Sequence, residues 1–166
     1  MKKFGSALLV SMAAAAFILP GASQAEDMAS MAGMHMEKGS QAEAFPFGHP
    51  GSAKHVDRVI RITAMDFKFV PKTITVKAGQ TIKFVVVNKG MVKHEFVLGT
   101  NEEQKEHEKE MEAHPNMKMD DPNGIAIQKG KTASLIWTFT KPMTVRYACH
   151  EPGHYAAGMY GELRIE

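Results

Sequence analysis

The sequence has little of several things that would decide its class at once. It carries a single cysteine, Cys149, a formal charge of only +2, and no apolar run of membrane-spanning length. One cysteine excludes an intrachain disulfide, and it excludes any centre bridged by two thiolates. Near-balanced charge removes the electrostatic footprint of a nucleic-acid or anionic-membrane binder. The apolar run from Phe4 to Leu19 is closed by Pro20 and Gly21, short of the roughly 20 residues that a membrane helix needs.

That same run has another use. Lys2 and Lys3 precede it and Ser23-Gln24-Ala25 follows it, which is the pattern of a secretory signal cleaved before Glu26. Residues 1–25 are therefore expected to be removed, and 25 taken from 166 leaves 141 residues for one compact domain and a tail. The loss of Lys2 and Lys3 takes 20 basic residues to 18, against 18 acidic ones, so the mature chain is neutral. No membrane span remains in it, and no nucleic-acid partner is expected.

Residues 26–54 are rich in Met, Ala, Gly, Ser and His without a sustained period, and read as a flexible arm. Beyond it the pattern becomes that of short strands separated by turns. Val59–Ile62, Phe67–Phe69, Thr73–Val76, Thr81–Asn88 and His94–Leu98 come first. Asn101 to about Ala113, dense in Glu and Lys, reads as a surface helix with Asn101 as a candidate cap. Ile125–Ile127, Thr132–Thr140, Thr144–Ala148 and Tyr160–Ile165 complete the set. The spacing predicts an all-β Greek-key sandwich over residues 55–166, with one helical insertion at 101–123.

The densest chemical signal is Cys149-His150-Glu151-Pro152-Gly153-His154-Tyr155-Ala156-Ala157-Gly158-Met159. A thiolate, an imidazole and a thioether recur at intervals of five in one loop between two strands. Copper, which cycles between a soft and a borderline state, uses that donor set together with a second imidazole. His94, at the start of an apolar strand, is the candidate for the fourth place. Any one of these residues alone would be read as core filler or a surface group. Their order and spacing point to a metal site.

An upstream strand His followed by Cys, His and Met between the last two strands resembles the type 1 copper site of the cupredoxin family. The resemblance implies one copper ion held by His94, Cys149, His154 and Met159. It also marks a departure, because many members place Asn after the first histidine and Glu95 stands here. Multicopper oxidases share the Cys-His step at Cys149-His150. Ala148 occupies the place of their preceding histidine, however, and no His-X-His pair exists to build a trinuclear cluster. An enzyme is therefore not expected, beyond slow Cu(I) oxidation at one site, and His150 is read as a surface or supporting residue.

Two further Met/His groups stand outside this pattern. Met28, Met31, Met34, His35 and Met36 lie in the arm; His107, Met111 and His114 lie four and three residues apart in the helix, with Met117 and Met119 just beyond. Thioethers without a core to fill can capture Cu(I), so both groups are candidate auxiliary copper sites. With them, the chain resembles the periplasmic copper-tolerance cupredoxins of the CopI type. That implies a periplasmic monomer whose partners are copper ions and a redox or copper-handling protein of the envelope. The alternative is a soluble carrier of single electrons to a redox enzyme.

Overall fold

The computed structural model describes residues 45–114 and 120–166. The signal at 1–25, the arm up to residue 44 with its Met28, Met31, Met34, His35 and Met36, and also Met117 and Met119, lie outside the described residues. Within them the order is β1 (Gly48–Pro50), β2 (Arg58–Met65), β3 (Lys68–Val70), β4 (Thr73–Val76), β5 (Thr81–Asn88) and β6 (His94–Gly99). Helix α1 (Asn101–Ala113) follows, then β7 (Gly124–Ile127), β8 (Thr132–Phe139), β9 (Met143–Ala148) and β10 (Tyr160–Ile165). The strands form two five-stranded sheets, β1-β8-β5-β2-β3 and β4-β10-β9-β6-β7. This is the expected β-sandwich with one helical insertion.

Alternation builds the core. In β2, β5 and β8 every second residue is buried, which turns Ile60, Ile62, Phe84, Val86, Trp137 and Phe139 inward from the first sheet. The second sheet answers with Ile74, Val76, Phe96, Leu98, Val145, Tyr147, Leu163 and Ile165. Aromatic rings knit the layers: Phe84 lies 5.3 Å from Phe96, and Phe69 lies 5.5 Å from Tyr147. Two pairings, β2 with β5 and β4 with β10, are parallel, and the rest are antiparallel. Among the described residues no helix is long and apolar enough to cross a membrane.

Strand β6 departs from alternation, since all six of its residues are buried. One face meets the core and the other is covered by α1. The helix starts with a capping box on Thr100, not on Asn101 as the sequence suggests: the Thr100 hydroxyl accepts from the Glu103 N–H at 3.2 Å and the Glu103 carboxylate accepts from the Thr100 N–H at 2.6 Å. Buried Gln104 then pins the helix to the sheet. Its amide donates to Val97 O at 2.8 Å and Arg146 O at 3.2 Å.

The sandwich also begins earlier than the arm expected at 26–54 allows. β1 pairs with β8, and the Phe47 ring is fully buried 5.4 Å from Trp137, with Phe45 5.3 Å from the same indole. Phe45-Pro46-Phe47 therefore closes the open flank of the first sheet and belongs to the domain. Phe47→Ala is expected to cost about 3–5 kcal/mol, as loss of a buried phenylalanine does, read as a lowered urea midpoint; an unchanged midpoint would return this segment to the arm. Gln104→Ala is expected to cost about 1–3 kcal/mol by leaving buried carbonyls unpaired, measured in the same way.

Candidate metal centre

Three connections meet at one end of the sandwich: the β2–β3 turn, the β5–β6 loop and the β9–β10 loop. Register brings the last two together. Ala148 pairs with both Val97 of β6 and Tyr160 of β10, so Cys149 leaves its strand beside β6 and opposite Met159. The Cys149 N–H donates to Met159 O at 3.1 Å, and the Met159 N–H donates to His154 O at 3.0 Å. His94 is placed by Asn88, whose side-chain amide donates to Val92 O and Ile127 O and whose oxygen accepts from the Gly90 N–H. Each candidate is thus fixed through backbone bonds before its side chain does anything.

His94, Cys149 and His154 form the one group of three potential metal donors of the His, Cys, Asp and Glu types among the described residues, their ligand atoms all within 4.8 Å of one another. Cys149 Sγ lies 3.8 Å from His94 Nδ1 and 3.4 Å from His154 Nδ1. Metal bonds of about 2.3 Å to sulfur and about 2.0 Å to imidazole, at trigonal angles, put S and N roughly 3.7 Å apart. The spacing fits one ion among the three. Cys149, His94 and Met159 are fully buried, and His154 is 7% exposed.

Burial sets the resting protonation. The Cys149 thiol is pushed up to about 12 by burial, against the pull of the Glu95 and Glu151 backbone N–H groups; the Glu95 N–H reaches Sγ at 3.3 Å. His94 is pushed below its ordinary value by burial and by neighbouring His154. Glu95 sits where the resemblance would place Asn. Its carboxyl is fully buried, neither oxygen has a hydrogen-bond partner, and burial with nearby Glu151 raises it to about 7. Lys93 bridges instead, with Nζ 2.7 Å from Glu151 and 3.6 Å from Glu95.

His150 is not a surface residue. It is 1% exposed and held under α1, with Nε2 2.6 Å from Gln104 Oε1 and Nδ1 2.7 Å from Glu108 Oε2, while Tyr155 stacks on its ring at 4.9 Å. Because the Gln104 amide nitrogen is spent on two carbonyls, its oxygen faces Nε2 and must accept from an N–H there. Nδ1 faces the Glu108 carboxyl. Burial, with neighbouring His107, lowers His150 to about 3, and burial with Glu112 raises Glu108.

The helix candidates divide. The His107 ring packs 4.6 Å from His150 and Met111 is buried, whereas His114 is exposed at the helix end. The helix therefore does not present His107, Met111 and His114 together to solvent. Sequence reasoning also missed the β2–β3 turn, which touches both imidazoles. Asp66 Oδ1 lies 3.2 Å from His94 Nε2, and the Phe67 ring lies 5.0 Å from that of His154. The sequence places Phe67 in a strand over Phe67–Phe69, whereas β3 starts at Lys68 and Phe67 belongs to the turn.

Residues 56–166 match the family described as copper binding proteins, plastocyanin/azurin family. The chain is 41% identical over 121 residues to the copper-resistant cuproprotein CopI of Rubrivivax gelatinosus, covering 72% of this chain and 73% of that protein. It is 37% identical over 162 residues to the protein of the same description in Pseudomonas aeruginosa, covering 77% and 90%. Auracyanin B superimposes with a TM-score of 0.61 at 23% identity, over 74% of this chain and 99% of its own, and shares the fold. With a family match from β2 to β10 and a site whose donors converge at its expected end, the chain belongs to the plastocyanin/azurin family of copper-binding cupredoxins.

Proposed function

We propose that this is an exported, periplasmic copper-tolerance cupredoxin that holds one type 1 copper ion at His94, Cys149, His154 and Met159, and that binds, sequesters or oxidises copper without being a dedicated enzyme. The observation that carries the reading is a fully buried, unpaired thiol with two imidazole Nδ1 atoms at 3.4 and 3.8 Å. A buried cysteine in a core has no need of such neighbours. The copper-resistant description of the two relatives supports the tolerance role.

The chain's own groups prepare the site. Cys149 gives up its proton on loading, which costs most where the thiol is buried, and so couples affinity to pH. The Glu95 N–H remains to stabilise the thiolate, while His94 and His154 turn their Nδ1 atoms toward it. Copper so held supplies one-electron exchange between its two states. Backbone bonds from Cys149 to Met159 and from Met159 to His154 keep the donors in place through that exchange.

The arm, with Met28, Met31, Met34, His35 and Met36, is proposed as a place of additional copper capture; the helix, whose Met111 is buried and whose His107 packs on His150, is not. The electron-carrier reading has its own observation. His154 meets the exposed Phe67 ring, and exposed Pro152, Gly153, Ala156 and Ala157 surround it in sequence, an arrangement suited to docking a redox partner.

Two measurements separate these readings. Titrated with Cu(II), the protein is expected to show a visible thiolate charge-transfer band that Cys149→Ser abolishes; a wild-type protein without the band would sink the copper site. Deleting residues 26–44, which spares β1, is expected to reduce copper tolerance of the host and the copper bound beyond one equivalent while leaving the band intact. Unchanged tolerance would favour the electron carrier.

A further inference from the structure

The β2–β3 turn holds a carboxylate against the outer edge of a candidate copper ligand. β2 and β3 pair as far as Met65 and Lys68, so Asp66 and Phe67 alone make the reversal, and Phe67 adopts φ of 65°. That left-handed conformation is unfavourable for a bulky side chain and is kept only where the surroundings impose it. Its effect is to place the two turn residues over the two imidazoles.

Asp66 is anchored there. Both of its carboxylate oxygens accept from the Met91 N–H, at 2.9 and 3.2 Å, which ties the β2–β3 turn to the loop leading into His94. Oδ1 also lies 3.2 Å from His94 Nε2. The contact is within ion-pair range but bent away from good hydrogen-bond geometry, and that buried ring nitrogen has no other partner. His94 Nδ1 faces Cys149, so Asp66 occupies the opposite corner of the ring. Gly90 leaves the space: a methyl group at that position would overlap both Asp66 Oδ1 and His94 Nε2. A glycine without positive φ is used here for close approach.

We infer that Asp66 is a positioning residue of the copper site, fixing the tautomer and ring plane of His94 through Nε2 and adding negative charge that favours the oxidised ion. A carboxylate on the far nitrogen of a ligating imidazole makes the other nitrogen the donor and raises its basicity. Charge of that sign stabilises Cu(II) more than Cu(I), so it lowers the reduction potential. The inference rests on the copper reading above.

Asp66→Asn keeps an acceptor for the Met91 N–H and removes only the charge; Asp66→Ala removes both. On the full-length copper-loaded protein, Asp66→Asn is expected to weaken Cu(II) binding about tenfold with Cu(I) binding nearly unchanged. The one-electron reduction potential then rises by about 59 mV, and the unfolding midpoint of the copper-free protein stays where it was. Asp66→Ala is expected to shift the potential in the same direction and also to lower that midpoint. An Asp66→Asn protein with the visible band and an unchanged potential would overturn the role of Asp66 alone. A wild-type protein without the band would overturn the copper reading and this inference with it.

Discussion

The site rests on one constraint, a sulfur that water cannot reach. Cys149 ends a strand whose two neighbours are fixed by register, so its side chain has one place to go and two imidazoles are already there. A buried thiol raised to about 12 is inert by itself. The same burial makes it a good ligand, because the loops around it are held by backbone hydrogen bonds and donors need little movement to close on an ion. The arrangement is set by β6, β9 and β10 as strands, and the loops merely inherit it.

Helix α1 extends that constraint outward. An ordinary sandwich strand shows water one face, but β6 shows none, and the helix that covers it also grips the residue following Cys149. Gln104 joins three segments: it bonds Val97 of β6, Arg146 of β9 and His150 of the loop. Such a fully satisfied polar group is restrictive, since shifting any one of the three leaves a buried group unpaired. The His150 ring is held in the same way, between Gln104 Oε1 and Glu108 Oε2.

How much of this the sequence reveals depends on how local the cause is. Cys149, His154 and Met159 are legible because one loop carries them at even spacing, and β4 and β5 are legible because their runs of β-branched residues need no tertiary context. Phe45–Pro50 is not. Two prolines and a glycine within six residues mask a three-residue strand whose worth lies in a contact with Trp137, 90 positions from Phe47. The helix cap was readable but misassigned, since Thr100 with Glu103 three residues on is the capping-box pair. Asp66 is the hardest case, because nothing in its neighbourhood suggests a metal. Its role exists only once β2 and β6 lie at the same end of the fold.

Two carboxylates beside the site show why position, not residue type, decides what an acid contributes. Glu95 follows His94 directly and is wholly buried, with no hydrogen-bond partner for either oxygen and Lys93 Nζ 3.6 Å away, and burial with nearby Glu151 raises its carboxyl to about 7. Near neutral pH it carries only part of a charge. Asp66 is 28 residues away in sequence, with its side chain 35% exposed and both oxygens accepting from the Met91 N–H. One thiolate and two neutral imidazoles leave a divalent ion with one positive charge uncompensated, and a monovalent ion with none. A fixed anion against His94 therefore acts on one oxidation state far more than on the other. That asymmetry makes a small turn residue, remote from the ligand loop, able to set the balance between them.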